Sequence, residues 1–235
     1  MDNNKPIEQQ AITDPPANGA VTQMEQAPPK ERFFSTSRMA KMGIFSSLAF
    51  VLYTFAKFPL PFIFPSFLKF NFSDIPALLG AFMLGPVAGI IIVCLKIALK
   101  LAFDPTDSFY VGELSDLLIG ISFVVIASLI YGKHRTKKRA AAAIGISAGV
   151  NVIISLLVNA FIIIPMYVEL MFKGSTAPII GACSAVLPFM TINESNYLAV
   201  YTFLAALPFN ALRCVVCGLI TFFSYKRLSY LFRKF

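Results

Sequence analysis

The residues of this chain that could do chemistry are charged and amide side chains inside long apolar stretches. Lys96 and Lys100 lie four residues apart, and Glu113 and Asp116 lie three apart, so each pair would share one face of a helix. Ionisable groups in apolar surroundings are costly and are usually paired or functional. Lys100, near the end of its stretch, could snorkel to the surface. Lys96 is deeper, so it needs Glu113 or Asp116 as a partner, or else it contacts a ligand.

A second set of polar groups lies in the last two apolar stretches. Asn159 could read the donor and acceptor edge of a planar heterocycle, or it could join two helices by hydrogen bonds. Asn151, two turns away, is interpreted as a residue that joins helices. Asn210 and Arg213 lie three residues apart. The guanidinium of Arg213 could stack on an aromatic ligand or pair with Asp116.

The chain lacks the signatures of an enzyme. It has neither H-E-x-x-H nor G-x-S-x-G, and His134 is its single histidine. Cys214 and Cys217 form C-x-x-C inside an apolar stretch, where redox or zinc chemistry would need exposed thiolates. We therefore predict free, buried cysteines, no catalysis, no metal and no cofactor. The phosphate-binding pattern G-x-x-x-x-G-K-[ST] is also missing, so any use of ATP requires partner subunits.

The composition places these residues in a membrane. Hydrophobic residues make up 57% of the 235 residues, charged residues only 14%, and the mean hydropathy is +0.73. A soluble domain carries roughly 25% charged residues. We predict an all-α bundle of six transmembrane helices within residues 35–235, at about Met39–Phe58, Ile75–Leu84, Pro86–Phe103, Glu113–Tyr131, Ala140–Tyr167 and Val200–Tyr225. The polar, proline-rich residues 1–34 are predicted to be a disordered cytoplasmic tail.

The basic residues predict the orientation of the bundle. They cluster before the first span, between the fourth and fifth spans, and after the sixth: Arg32, Arg38 and Lys41; Lys133, Arg135, Lys137, Lys138 and Arg139; Lys226, Arg227, Arg233 and Lys234. Six spans put all three clusters on one side, which the positive-inside rule makes the cytoplasm. Both termini are then cytoplasmic, and the net charge of +8 reflects topology rather than nucleic-acid binding.

The second predicted span is a short helix with a marked start. Asp74 precedes a run of uncharged residues that ends at Gly85-Pro86. We predict that Asp74 is the N-cap of this helix and that Pro76 lies in its first turn. The helix is too short to cross a hydrocarbon core of about 30 Å alone.

The loop Pro59–Ser73 is unusually apolar. The side chains in it that could contact a ligand are Pro61, Phe62, Phe64, Phe67, Lys69 and Phe70. An apolar loop is stable only if it is buried or covers something. We predict a flap over a planar aromatic ring, and an anchor in the membrane interface is the alternative. The later loop Val168–Ala199 contains a segment predicted to be an interfacial or re-entrant helix.

Four blocks of the sequence, in order, resemble the riboflavin-specific substrate-binding (S) components of energy-coupling factor (ECF) transporters. They are LPFIFPSFLKFNFSDIPALLGAFMLGPVAG, GELSDLLIG, NAFIIIPMY and LPFNALR…YKRL, and the resemblance covers residues 39–228. It implies a six-helix protein of the bacterial plasma membrane that binds riboflavin or a related flavin in an outward-facing pocket. Its implied partners are a membrane coupling subunit and two ATP-binding subunits. A stand-alone carrier, or an S component for another small vitamin-like molecule, is the alternative.

The resemblance also implies roles for individual residues. Ligand contacts are expected from Pro61, Phe62, Phe64, Phe67, Lys69, Phe70, Lys96, Glu113, Asp116, Asn159, Tyr167, Asn210 and Arg213. The family often has Asn and Lys where this chain has Asp116 and Arg213, and an ion pair between the two would explain both differences. Gly43 and Ser47 have the spacing that lets another helix approach closely, and the family docks on its coupling subunit at this place.

Overall fold

The computed structural model describes residues 35–106, 108–132 and 136–232. Within them the chain forms the helices α1 (Thr36–Phe55), α2 (Asp74–Leu84), α3 (Pro86–Phe103), α4 (Val111–Tyr131), α5 (Lys137–Met171), α6 (Ala177–Val186) and α7 (residues 197–232). Two short strands, β1 (Phe58–Pro59) and β2 (Lys69–Phe70), pair antiparallel in the loop between α1 and α2. The predicted all-α class is confirmed. The tail predicted for residues 1–34 lies outside the described residues.

Four of the described helices are long and apolar enough to cross a bilayer. They are α3, α4, α5 and the part of α7 at Tyr197–Tyr225. The bounds of α3 coincide with the predicted span because Gly85 and Pro86 separate it from α2 and because Pro105 follows its end. α1 carries Arg38 and Lys41 near its start, and α2 has only 11 residues.

α5 and α7 are not regular α-helices throughout. α5 is α-helical over Lys137–Val158 and Ile164–Met166, with π-helical turns at Asn159–Ile163 and Tyr167–Met171. α7 is α-helical over Tyr197–Val200 and Leu207–Phe232, with a π-helical turn at Tyr201–Ala206 between them. Each helix contains a proline close to these turns, Pro165 or Pro208, which cannot donate a backbone hydrogen bond. Isolated π-turns are frequent at functional sites.

The start of α2 differs from the prediction. Ser73, not Asp74, is the N-cap residue, and it makes no side-chain cap hydrogen bond. Asp74 is the first residue of the helix, and its carboxylate binds two buried cations on other helices instead of the free N–H groups. A carboxylate that meets two buried cations gains more from ion pairs than from capping, because an unpaired buried charge is expensive. Pro76 does lie in the first turn, as predicted.

α2 is the centre of the bundle. Nine of its 11 residues are buried, and six of these pack in a core cluster with residues of α1, α3, α4, α5 and α7. The approach of α3 to α2 is close, because a Cβ added at Gly89 would lie only 2.7 Å from the Cβ of Ala81. Gly85 joins the two helices with a φ of 99°, a conformation that favours glycine.

The segment between α5 and α7 contains the additional helix that was predicted there, α6. Its buried side chains Ile179 and Cys183 pack in a second core cluster together with Val111, Ile163 and Tyr201. α6 therefore closes the same end of the bundle at which α4 and α7 begin.

Candidate ligand-binding site

A cavity of about 370 Å³ lies at the end of the bundle where α1 and α3 end and α4 begins. Its wall is built by the end of α1, the loop that follows it, the first turns of α4, and the π-helical parts of α5 and α7. This volume is in the range typical of small-ligand sites. Among the predicted contact residues, those that line the cavity are Phe67, Lys69, Glu113, Asp116, Asn159, Tyr167, Asn210 and Arg213.

One wall of the cavity is aromatic. The ring of Phe67 stacks on Tyr201 at a centroid distance of 5.7 Å and contacts Tyr167 at 5.5 Å. The π-helical turns of α5 and α7 hold the two tyrosines in place. Aromatic rings attract one another in stacked and tilted arrangements, so this wall suits a flat, conjugated ligand.

Amide groups stand beside the aromatic wall. Asn159 donates from Nδ2 to the backbone oxygen of Ser155 at 2.8 Å and accepts from the Tyr201 hydroxyl at 3.1 Å. Asn210 donates from Nδ2 to the backbone oxygen of Ala206 at 2.8 Å. Each amide carries a second N–H that these bonds do not use. Both side chains are therefore held in fixed orientations and can still bind a polar group of a ligand.

The apolar loop only partly fulfils its prediction as a flap. Phe67 and Lys69 line the cavity, but Pro61 and Phe62 are exposed, Phe62 at 96%, and do not line it. Phe64 and Phe70 pack against Phe209 at 5.3 and 6.3 Å.

The pairing of β1 with β2 explains why the apolar loop covers the cavity only in part. It places Phe58 opposite Phe70 and folds the loop back on itself. Partial burial, with the nearby charges of Lys57 and Lys100, lowers the pKa of Lys69 in this loop.

A charge-balanced network lies under the cavity, and we name it the floor network. It comprises Asp74, Lys96, Asp116 and Arg213, with Asn71 and Ser73. Lys96 donates to Asp74 and to the Ser73 hydroxyl, both at 2.8 Å. Lys96 has an exposed fraction of 0% and does not line the cavity. The predicted partners Glu113 and Asp116 are wrong, because Lys96 pairs with Asp74. Because Lys96 is buried, its ammonium group needs a buried carboxylate as a partner, and Asp74 supplies it.

Arg213 joins the two carboxylates of the floor network. Its Nη1 lies 2.5 Å from Asp116 Oδ1, which confirms the predicted pair, and its Nε donates to Asp74 Oδ2 at 2.9 Å. Asn71 completes this side by donating to Asp116 Oδ2 at 3.3 Å. Arg213 Nη2, which is buried, lies 2.7 Å from Asp74 Oδ2 and adds to the ion pair. The two carboxylates of the floor network therefore hold the guanidinium group in one orientation.

Lys100 and Glu113 form a second ionic group at the side of the cavity. Lys100 Nζ lies 2.9 Å from Glu113 Oε1, and its exposed fraction is 0%. The prediction that Lys100 snorkels to the surface is therefore wrong, because the loop between α3 and α4 supplies oxygen atoms that surround its ammonium group.

Several cavity residues were missed by the sequence reasoning. They include Tyr53, Lys57, Asn71, Ser108 and Tyr201. Asn71 lies three residues before the start of α2 and has no feature that distinguishes it from other polar loop residues. Tyr201 could have been noticed as an aromatic residue at the start of the last apolar stretch.

The remaining polar candidates have structural contacts. Asn151 hydrogen-bonds Ser122 of α4 and donates to Cys214 Sγ at 3.4 Å, which confirms that it joins helices. All four cysteines are free, and only Cys94 departs from the expected burial. Within the described ranges, no group of three or more His, Cys, Asp or Glu side chains could hold a metal ion.

The predicted docking residues do not line the cavity. Gly43 lies in the first half of α1 and Ser47 just past its midpoint, whereas the cavity is reached only at Tyr53, near the end of the helix. Both residues are exposed, and a Cβ added at Gly43 would meet nothing within 4 Å.

Comparison with known proteins gives a consistent result. A family model described as "ECF transporter, substrate-specific component" matches residues 37–225. The chain is 32% identical over 192 residues to a riboflavin transporter RibU of Staphylococcus aureus, covering 82% of this chain and 90% of that protein. It is 26% identical over 159 residues to the riboflavin transporter FmnP of Bacillus subtilis, covering 66% and 83%. A solved S component of a bacterial ECF transporter is 30% identical, with a TM-score of 0.62 over 83% of this chain and 96% of that one.

Proposed function

The chain belongs to the family of substrate-specific (S) components of ECF transporters, as the sequence predicted, and we propose that its cavity binds riboflavin or a closely related flavin. Members of this family are multi-pass membrane proteins of bacterial transporters and not enzymes.

The observation that carries the proposal is the composition of the cavity. The stacked rings of Phe67 and Tyr201 offer a flat apolar surface, and Asn159, Asn210 and Arg213 place polar groups at its side. An isoalloxazine ring needs this combination, because it is flat, aromatic and edged by hydrogen-bond donors and acceptors. The relatives named riboflavin transporters support the same ligand.

The floor network argues for a neutral ligand at its site. Arg213 faces two carboxylates, and Lys96 shares one of them. The two cations and two anions cancel, so Arg213 supplies a hydrogen-bond donor rather than a net charge.

We further propose six spans with both termini in the cytoplasm. α1 and α2 join the four long apolar helices as the first two spans, and buried loop extends the short α2. The basic residues Arg38 and Lys41 at the start of α1, and Lys137 and Lys138 at the start of α5, lie at the end opposite the cavity. By the positive-inside rule that end is cytoplasmic, so the cavity opens outward.

The proposed partners follow from the family. A coupling subunit and two ATP-binding subunits would supply the energy for import. The exposed face of α1 that carries Gly43 and Ser47 is the proposed docking site, since its small residues allow close approach of a partner helix.

Titration of the purified full-length chain with flavins, in detergent or nanodiscs, tests the ligand. We expect one riboflavin per chain, flavin absorption bands in the loaded protein, and quenching of flavin fluorescence by stacking. Thiamine and biotin serve as controls for other vitamin-like ligands. Saturable binding of either control, without any flavin binding, would contradict the proposal. Uptake by cells with and without the energising module separates an S component from a stand-alone carrier.

A further inference from the structure

We propose that Lys100 is a positioning residue that holds Glu113 and the α3–α4 loop in place as one wall of the cavity. The inference rests on the proposed function, because it concerns the affinity for the flavin. Lys100 itself does not line the cavity. Its influence on the ligand must therefore pass through the groups that it binds.

The ammonium group of Lys100 is surrounded by oxygen atoms. It donates to the backbone oxygens of Asp104 and Pro105, both at 3.1 Å. It also lies 2.9 Å from Glu113 Oε1 and 3.4 Å from Asp104 Oδ2. One buried cation thus connects the end of α3, the following loop and the first turn of α4.

Glu113 is bound from both sides. Its Oε1 faces Lys100, and its Oε2 accepts from the hydroxyls of Thr106 at 3.0 Å and Ser108 at 3.1 Å. Lys100 and two hydroxyl groups therefore set the orientation of the carboxylate. Fixed polar groups of this kind are what a selective ligand site requires.

The same hydroxyls organise the backbone of the loop. Thr106 Oγ1 accepts from the N–H groups of Ser108 at 3.3 Å and Tyr110 at 3.1 Å, and Ser108 Oγ accepts from Gly112 N at 3.0 Å. The loop also holds Phe109 and Tyr110 at φ values of 50° and 67°, which side chains larger than glycine rarely adopt. Such a backbone persists only where surrounding contacts enforce it.

The consequence for the ligand is direct. Ser108, Gly112 and Glu113 line the cavity, and all three depend on this set of bonds. Without the Lys100 ammonium, Glu113 would be a buried carboxylate without its cation, and the loop would lose its central donor. The wall would then no longer keep one shape, although the floor network would stay intact.

The test uses full-length variants and riboflavin as the probe. Lys100→Met should weaken riboflavin binding roughly tenfold or more, as expected for the loss of charge-assisted hydrogen bonds. Lys100→Arg should recover most of the affinity. Adding Glu113→Gln to Lys100→Met should recover part of it, because the second change removes the unpaired buried charge. The melting temperature of each variant is measured as well, because removing the unpaired charge would also relieve a defect in stability.

Thr106→Val provides a second variant in case Lys100→Met does not fold. Thr106 lies outside the cavity lining and is only half-buried, and valine keeps its shape while removing four hydrogen bonds. We expect an affinity loss of roughly three- to tenfold with little change in melting temperature. Lys173→Met and Thr191→Val, both exposed and outside the lining, are the matched controls.

The outcomes separate the two proposals. If the unmodified chain binds no flavin, the proposed function fails. If it binds riboflavin but Thr106→Val and a folded Lys100→Met bind equally well, the positioning role fails alone. Equal losses in the control variants would also overturn it.

Discussion

Asp74 should be more important for stability than Asp116, although only Asp116 faces the cavity. Asp74 pairs with Lys96 at 2.8 Å and with Arg213 at 2.7 Å, whereas Asp116 pairs with Arg213 alone. Replacing Asp74 by Asn leaves two buried cations with one remaining carboxylate. Replacing Asp116 by Asn leaves Lys96 paired and Arg213 still bound to Asp74.

The expected magnitudes follow from burial and from the number of broken pairs. The side chain of Asp74 is 3% exposed and that of Asp116 is 11% exposed. Removing one partner of a buried ion pair costs roughly 3–5 kcal/mol, and Asp74→Asn breaks two pairs, so about 5 kcal/mol is expected. Asp116→Asn keeps an acceptor oxygen for Arg213, so a loss of about 1–3 kcal/mol is expected.

Unfolding in mixed micelles by sodium dodecyl sulfate, followed by circular dichroism, would measure both variants. Asp104→Asn is the matched control, because that carboxylate is 31% exposed and lies 3.4 Å from its lysine. Because this pair is long and its carboxylate is partly exposed, its loss should cost about 1 kcal/mol or less. If Asp74→Asn were as mild as Asp116→Asn or as the control, the role assigned to Asp74 at the centre of the floor network would be refuted.

A double-mutant cycle extends this test, and three further predictions concern the ligand and docking surfaces. Asp116→Asn combined with Arg213→Lys should cost about 1 kcal/mol less than the sum of the single changes, and strict additivity would show two independent sites. Asn159→Ala should weaken flavin binding by about 1–3 kcal/mol in a calorimetric titration, because a polar ligand group loses its partner; unchanged affinity would leave it a helix-joining residue. Phe67→Ala should weaken binding by about 1 kcal/mol more than the loss of buried apolar area accounts for, because ring stacking is lost as well. Phe62→Ala, at an exposed position, should leave the fluorescence titration unchanged. Ser47→Trp should bind flavin normally but abolish uptake with the energising module, and a loss of binding would place this face inside the bundle.

The elements of the bundle could be predicted where the signal is local. The Gly85-Pro86 pair and the proline after Asp104 mark both ends of α3 in the sequence itself. The pair between Arg213 and Asp116 was also accessible, because two unusual charges in apolar stretches need each other. These successes depend on composition and on short-range rules.

The role of Asp74 could not be predicted in the same way. A carboxylate before an apolar run signals a helix start whether or not distant cations are present, so the capping interpretation was the natural one. Only the packing of α3 and α7 against α2 brings Lys96 and Arg213 to it. The π-helical turns of α5 and α7 were likewise invisible, because they result from packing around the cavity and the prolines alone do not specify them.

Two ionic groups, the floor network and the Lys100–Glu113 pair, hold the polar residues of the cavity in place within the apolar bundle. The floor network fixes Arg213 from below through Asp74, and Lys100 fixes Glu113 from the side. Neither Asp74 nor Lys100 lines the cavity, yet each is almost completely buried and carries a full charge. Without a partner, the buried charge of Arg213 or Glu113 would destabilise the fold, and the side chain could rotate. Asp74 and Lys100 therefore compensate these charges and also set the orientation in which Arg213 and Glu113 meet a ligand. Substitutions at the hidden positions should therefore change the affinity for the flavin without removing a single direct contact.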